Sequence, residues 1–405
     1  MKINKNTLNQ ILFFLAIFIP TFNFFELTIL VWSFLFLVTI KQSYSKTFFK
    51  ITIPFIIILL LAIAVSFSHD YILYLKIRDI VYLSKPILGL FIGYNLFKND
   101  KENPYETIVK CGVWLASFHL FLVLFALFFK GAFTVREIRD HAGYFNDYEV
   151  YVLIILIFYK KFDLQFTKSK IRLCLVILAI SSFFYLARTN FIQFLLLFIV
   201  LKGWFKLNLK TLKVMFSILL LSGISYFAIY QYNPKRNGDG IDEFLYKIKL
   251  IPIEAFSTKI NRNDWKNFND NYRSYENITT IDQISHNKTL FFGEGIGSQV
   301  DLKQKVYLGD KEMRYISILH NGYMTVLLKT GIFGLVFLLF SIFQFSIFKT
   351  YKSSIETNTN EIFFATALFL IISNWVFLGL YNLLDTKVIL LGFLIAYKNQ
   401  QAKLQ

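Results

Sequence analysis

Residues 194–200 read FLLLFIV, a run without a single polar side chain. A transmembrane barrel strand alternates lipid-facing and lumen-facing residues, so a run that is apolar throughout excludes a barrel. Inside hydrocarbon the backbone must satisfy its own polar groups locally, which leaves the α-helix. Outward from this stretch the pattern repeats: apolar runs of about 17 to 25 residues, each able to cross a ~30 Å core, recur along nearly the whole chain. They predict an all-α polytopic membrane protein. Its spans, about twelve on this hydropathy reading, are placed at 8–22, 24–40, 51–68, 79–97, 106–129, 144–159, 171–187, 190–205, 212–231, 316–346, 361–379 and 380–397.

Composition agrees. The 405 residues are 56% hydrophobic and 19% aromatic, include 48 Phe and have a mean hydropathy of +0.51, more apolar than a water-soluble core of this length requires. The formal charge of +17 points to nucleic acid only until the cations are placed. Lys41, Lys46, Lys50, Lys98, Lys160, Lys161, Lys202, Lys349 and Lys398 fall in turns on one side of the spans. The positive-inside rule makes that side the cytoplasm, with both termini there. The expected location is a bacterial inner membrane, with membrane lipids as surroundings and no nucleic acid as partner. MKINKN and the apolar run after it look like a secretory signal without a small-x-small cleavage site, and are read as the first span.

One connection is out of proportion to the rest. Residues 232–315 carry thirteen Lys or Arg against twelve Asp or Glu and fall on the opposite, periplasmic side. Loops this long carry function or a small subdomain. The chain therefore divides into nine spans over 1–231, a large periplasmic loop over 232–315 and three spans over 316–405. Within the loop, DEFLYKIKLIPIEAF and NDWKNFNDNYRSYENITTIDQISHN predict short amphipathic helices, and FFGEGIGSQ a glycine turn. That turn lacks the strand and spacing of a nucleotide fingerprint. Two smaller outward loops, at 69–79 and 130–149, mix charge with aromatics and are placed to wall a site.

Few residues are fitted for chemistry. Arg188 interrupts two apolar runs at the outer boundary. It either snorkels to the interface or faces the phosphates of a lipid carrier, which a guanidinium holds in bidentate fashion. His320 stands where the long loop returns to the membrane, with Asn321 beside it; it either satisfies a helix terminus or acts as a general base on an acceptor hydroxyl. After Arg236 the loop arginines are Arg262, Arg273 and Arg314, which either are solvated or reach a pyrophosphate where the loop folds back. Trp265, Tyr272 and Tyr275 either stack on sugar rings or anchor the loop. Cys111 and Cys174 lie in spans and read as packing residues. The histidines show no HExxH spacing and no GxSxG is present, so no metal site and no serine hydrolase are expected.

Four of these stretches, AGYFNDYEVYVLIILI, ARTNFIQFLLL, RSYENITTIDQISHNKTLFFGEGIGS and above all HNGYMTVLLKTGIFGLVFLL, resemble the O-antigen ligase and O-antigen polymerase superfamily. The resemblance implies a GT-C type membrane glycosyltransferase that uses neither metal nor other cofactor and takes an undecaprenyl-pyrophosphate-linked glycan as donor. By that likeness His320 activates the acceptor hydroxyl and Arg188 and Arg273 neutralise the pyrophosphate, with Asn321 and Arg314 as supporting residues. The chain departs from the family pattern in having no tryptophan after Arg273, where Tyr275 or Asn277 stands, and no proline before Gly293. A polymerase, working with a chain-length regulator, is the favoured expectation. A ligase acting on lipid A core is the alternative. A lipid-linked oligosaccharide flippase is disfavoured because such proteins are built of repeated halves with short connections, which the long loop after the ninth span does not suit.

Overall fold

The computed structural model describes residues 5–41, 43–97, 103–143, 146–185, 187–205, 209–235, 241–254, 257, 260, 268, 271–308, 311–347, 354–382 and 385–404. Up to the long loop the chain is a series of helices: α1 (Lys5–Phe18), α2 (Phe25–Thr39), α3 (Lys46–Ser66), α4 (Leu73–Leu96), α5 (Pro104–Phe129), α6 (Val135–Ala142), α7 (Asp147–Ile157), α8 (Lys168–Phe184), α9 (Arg188–Leu201) and α10 (Leu209–Tyr232). The loop contributes α11 (Ile241–Glu254), α12 (Tyr272–His286) and strands β1 (Val300–Leu308) and β2 (Lys311–Ile316). Three helices follow, α13 (Gly322–Ser346), α14 (Ser354–Val376) and α15 (Lys387–Leu404).

Polar residues between the apolar runs set the helix starts. The side chains of Ser45, Asn103, Asn146 and Thr167 each accept a hydrogen bond from a backbone N–H in the first turn of α3, α5, α7 and α8. Among the described residues, Lys46–Ser66, Pro104–Phe129, Gly322–Ser346 and Ile355–Val376 are long and apolar enough to cross a membrane. The predicted span at 144–159 is shorter than expected: α7 has 11 residues, a length of about 16 Å at 1.5 Å per residue. Two further boundaries move. The chain from 316 is strand and turn until α13 begins at Gly322, and 379–381 is a short 3-10 turn ahead of α15.

The all-α expectation misses one element. β1 and β2 pair antiparallel, Val300 opposite Ile316 and Leu308 opposite Lys311, with an irregularity between Asp301 and Val306. That irregularity disturbs the alternation of apolar residues by which a strand is recognised. Val300, Leu302, Val306 and Ile316 face inward and form, with Phe268, Tyr272, Tyr275 and Ile284, a separate core that reaches Leu327 and Leu328 of α13. The Tyr275 hydroxyl donates to the Leu302 carbonyl at 2.5 Å. The described residues of the loop from Phe268 to Ile316 therefore form a small packed subdomain seated on the bundle.

What seats it is a break in α13. Gly331 has φ 63° and ψ −161°, which interrupts the helix and frees backbone groups in its middle. The glycine turn satisfies them. Glu294 N donates to Leu328 O at 2.7 Å and Gly295 N to Lys329 O at 3.0 Å, while Ile332 N donates to Leu290 O at 2.9 Å and Phe333 N to Phe291 O at 3.2 Å. Ile296 N continues the seam to Ala62 O of α3 at 3.0 Å. FFGEGIGS thus serves as a structural turn. Gly295 has φ +79°, and a Cβ there would lie 2.6 Å from Ser66 N.

Gly295→Ala is expected to destabilise the protein by about 1–3 kcal/mol, the cost of a residue held in a disfavoured backbone region. Gly223→Ala, in α10 with nothing within 4 Å, is expected to be neutral or to stabilise by up to ~1 kcal/mol. Melting temperatures of the two purified variants in one detergent check the contrast.

Candidate functional site

His320 lies in the turn between β2 and α13 and is held at three points. Its backbone N–H donates to Glu276 Oε2 at 3.1 Å, and its Nδ1 lies 3.0 Å and 3.1 Å from Glu276 Oε1 and Oε2. Its carbonyl accepts from Leu378 N at 3.2 Å, in the connection between α14 and α15. The His320 side chain is 41% exposed while Glu276 is 1% exposed, so the carboxylate lies behind the ring and the ring fronts the accessible side. Tyr272 meets the imidazole edge to face, with ring centroids 5.8 Å apart at 89°. Burial, and next the Glu276 charge, hold the Tyr272 hydroxyl well above the ordinary tyrosine range.

The arginine predicted at the outer boundary opens α9. Ala187 is extended and Arg188, half-buried, is the first helical residue. Its neighbour Thr189 lines a small cavity together with Asp147, Ser373, Gly379 and Lys387. Gly379 adjoins Leu378, the backbone partner of His320. The starts of α7, α9 and α15 and the end of α14 therefore meet at one polar centre that is bonded to the His320 turn.

Arg273 stands on α12 three residues before Glu276, close to the same face at helical spacing. Asn321 caps α13, its side-chain oxygen accepting from Tyr323 N at 2.9 Å and Met324 N at 3.2 Å. Arg314 lies elsewhere: Nε and Nη2 each bond Asp301 at 2.8 Å across the hairpin, a fork that holds Asp301 below the ordinary carboxylate range. Arg236, Arg262 and Trp265 lie outside the described residues. Tyr272 and Tyr275 are buried in the loop core. Both cysteines are buried and free, as expected of packing residues. No group of three or more His, Cys, Asp or Glu suited to a metal ion occurs among the described residues.

Reading for hydropathy passed over the charges inside the helices. Lys387 Nζ lies 2.7 Å from Asp147 and also pairs with Asp385. Lys85 Nζ bonds the carbonyls of Asn382 and Asp385. Lys329 Nζ lies 2.6 Å from Asp79, which also accepts from Gly297 N at 2.7 Å. The signal was present, since an ionisable residue within an apolar span is a functional candidate by default. At the other end of the bundle Lys161, just past α7, bonds the Leu201 carbonyl that ends α9 and pairs with Glu361 at 3.3 Å.

Residues 173–339 match the family model described as O-antigen ligase. That match makes the chain similar to the O-antigen ligase and polymerase superfamily over this segment. The matched segment contains Arg188, Glu276, Arg273 and His320, whereas Asp79, Lys85, Asp147 and Lys387 lie outside the match. The likeness supports a glycan-processing membrane enzyme with a lipid-linked glycan as substrate. No curated protein matches the chain.

Proposed function

We propose that the chain polymerises undecaprenyl-pyrophosphate-linked oligosaccharide repeat units at the periplasmic face of the bacterial inner membrane, both termini being cytoplasmic. The observation that carries this reading is the placement of His320, exposed through its ring, anchored at Nδ1 and bonded to the centre where Arg188 starts its helix. Nε2 is the ring nitrogen presented to an acceptor. It takes the proton of an acceptor sugar hydroxyl while that oxygen attacks C1 of the donor glycan; the C1–O bond to pyrophosphate breaks and the electron pair leaves with the phosphate oxygen. Arg188 and Arg273 neutralise the departing charge, which lets the transfer proceed without a metal ion. The basic turn beyond α7 supports a cytoplasmic assignment for that end, and a chain-length regulator is the expected protein partner.

Arg188→Lys tests the anion contact. Lysine keeps the charge but not the planar fork, so turnover per donor concentration is expected to fall by about tenfold to a hundredfold, the worth of one charged hydrogen bond. Undiminished turnover assigns Arg188 to interfacial anchoring instead. The second reading, a ligase to lipid A core, is favoured by the description of the matching family. Deletion of the gene separates the two. Loss of a polymerase leaves single repeat units on the carrier at the outer face and on lipid A core, whereas loss of a ligase leaves polymerised chains on the carrier.

A further inference from the structure

We propose that Glu276 is the positioning residue of this transfer step, holding His320 in the tautomer that leaves Nε2 as the base and facing the positive charge the ring gains. The inference rests on His320 being the base. A carboxylate only accepts hydrogen bonds, so an imidazole whose Nδ1 sits 3.0 Å and 3.1 Å from its two oxygens carries its hydrogen on Nδ1. The lone pair then resides on Nε2, on the exposed side. The same carboxylate takes the backbone N–H of His320 at 3.1 Å, which fixes the Cα as well as the ring. At 1% exposure Glu276 is withheld from solvent, so its field on the imidazole is little screened.

As the acceptor oxygen bonds to C1, its proton passes to Nε2 and the Nδ1 hydrogen stays in place. The resulting imidazolium faces an ionised carboxylate and returns the Nε2 proton to solvent after pyrophosphate has left. Glu276 exchanges no proton. It acts through the ring.

The test uses the purified full-length protein with lipid-linked repeat units. In Glu276→Gln the single amide oxygen accepts the His320 backbone N–H, and the amide NH2 points at Nδ1. With a donor in place of one of the two oxygens facing Nδ1 and the facing charge removed, the ring is biased to accept at Nδ1 and carry its hydrogen on Nε2, the wrong tautomer for a base. The expected result is a fall in kcat of roughly 10³- to 10⁴-fold, by analogy with a mis-oriented catalytic histidine, with the donor KM little changed. Glu276→Asp, which keeps the charge but draws it back by one methylene, is expected to lose about a hundredfold. The double variant His320→Ala/Glu276→Gln is expected to be no slower than His320→Ala alone, because groups that act as one unit are not additive.

Glu276→Gln turning over at close to the wild-type rate overturns the proposal. So does a double variant slower than His320→Ala by the full Glu276→Gln factor, which is the signature of a mere tether for the loop. Where Glu276→Gln does not reach the membrane, Glu276→Asp decides by the same comparison in the His320→Ala background. If His320→Ala itself retains the wild-type rate, the base assignment is what fails; if only Glu276→Gln does, the base stands and Glu276 is released from this role.

Discussion

His320→Ala, inserted in the membrane at the wild-type level, is expected to lose about 10²- to 10⁴-fold of its transfer rate, the usual worth of general base catalysis. The effect is expected in kcat, because a general base acts on the reacting hydroxyl in the transition state and not on the binding of the donor. The substitution also removes a side chain that is 41% exposed, so little apolar packing is lost. The backbone N–H bond to Glu276 and the carbonyl bond from Leu378 do not depend on the side chain. Stability should therefore change little, and a melting curve beside the rate measurement checks that the loss is chemical. A variant that lengthens glycan chains at the normal rate would show that the hydroxyl is activated by another group.

Lys329→Met is expected to be the most damaging substitution in the bundle, at about 3–5 kcal/mol, because it leaves Asp79 as an uncompensated buried charge. Both partners are fully buried, at 0% exposure, and Lys329 Nζ further donates to the carbonyl and hydroxyl of Ser298 at 2.6 Å and 3.1 Å. The pair joins α4 to the helix on which the glycine turn is seated, so its loss also loosens the seat of the loop subdomain. Asp79→Asn/Lys329→Met should recover more than half of the lost stability. The asparagine oxygen can still accept from Gly297 N, and no net charge is left in the interior. Denaturation midpoints of the two variants against wild type measure this; a double variant as unstable as the single one would mean that the ammonium itself, and not the orphaned carboxylate, is what the structure needs.

How far these features could be read beforehand follows from their range along the chain. Helices cover the apolar runs, and the glycine turn and the Arg188 turn lie where residue type put them, because each depends on neighbours within a few positions. The hairpin was missed because its bulge spoils the short period of two. Glu276 was one acidic residue among twelve in the long loop, and only its contact with His320, 44 positions away, singles it out. The Lys329–Asp79 pair spans 250 positions and Lys387–Asp147 spans 240. In both cases the charged residues were visible inside apolar runs, but nothing local says which cation meets which anion. Arg314 shows the converse. Its type and loop position fit a phosphate ligand, and on β2 its guanidinium reaches Asp301 across the hairpin.

The most direct test of the account is to incubate the purified full-length protein with lipid-linked repeat units alone, in the presence of a chelator and without lipid A core, and to resolve the products by size. The account predicts a ladder of lengthening lipid-linked chains that is lost in His320→Ala. Products that form only after lipid A core is added, or a ladder that chelation abolishes, would contradict it.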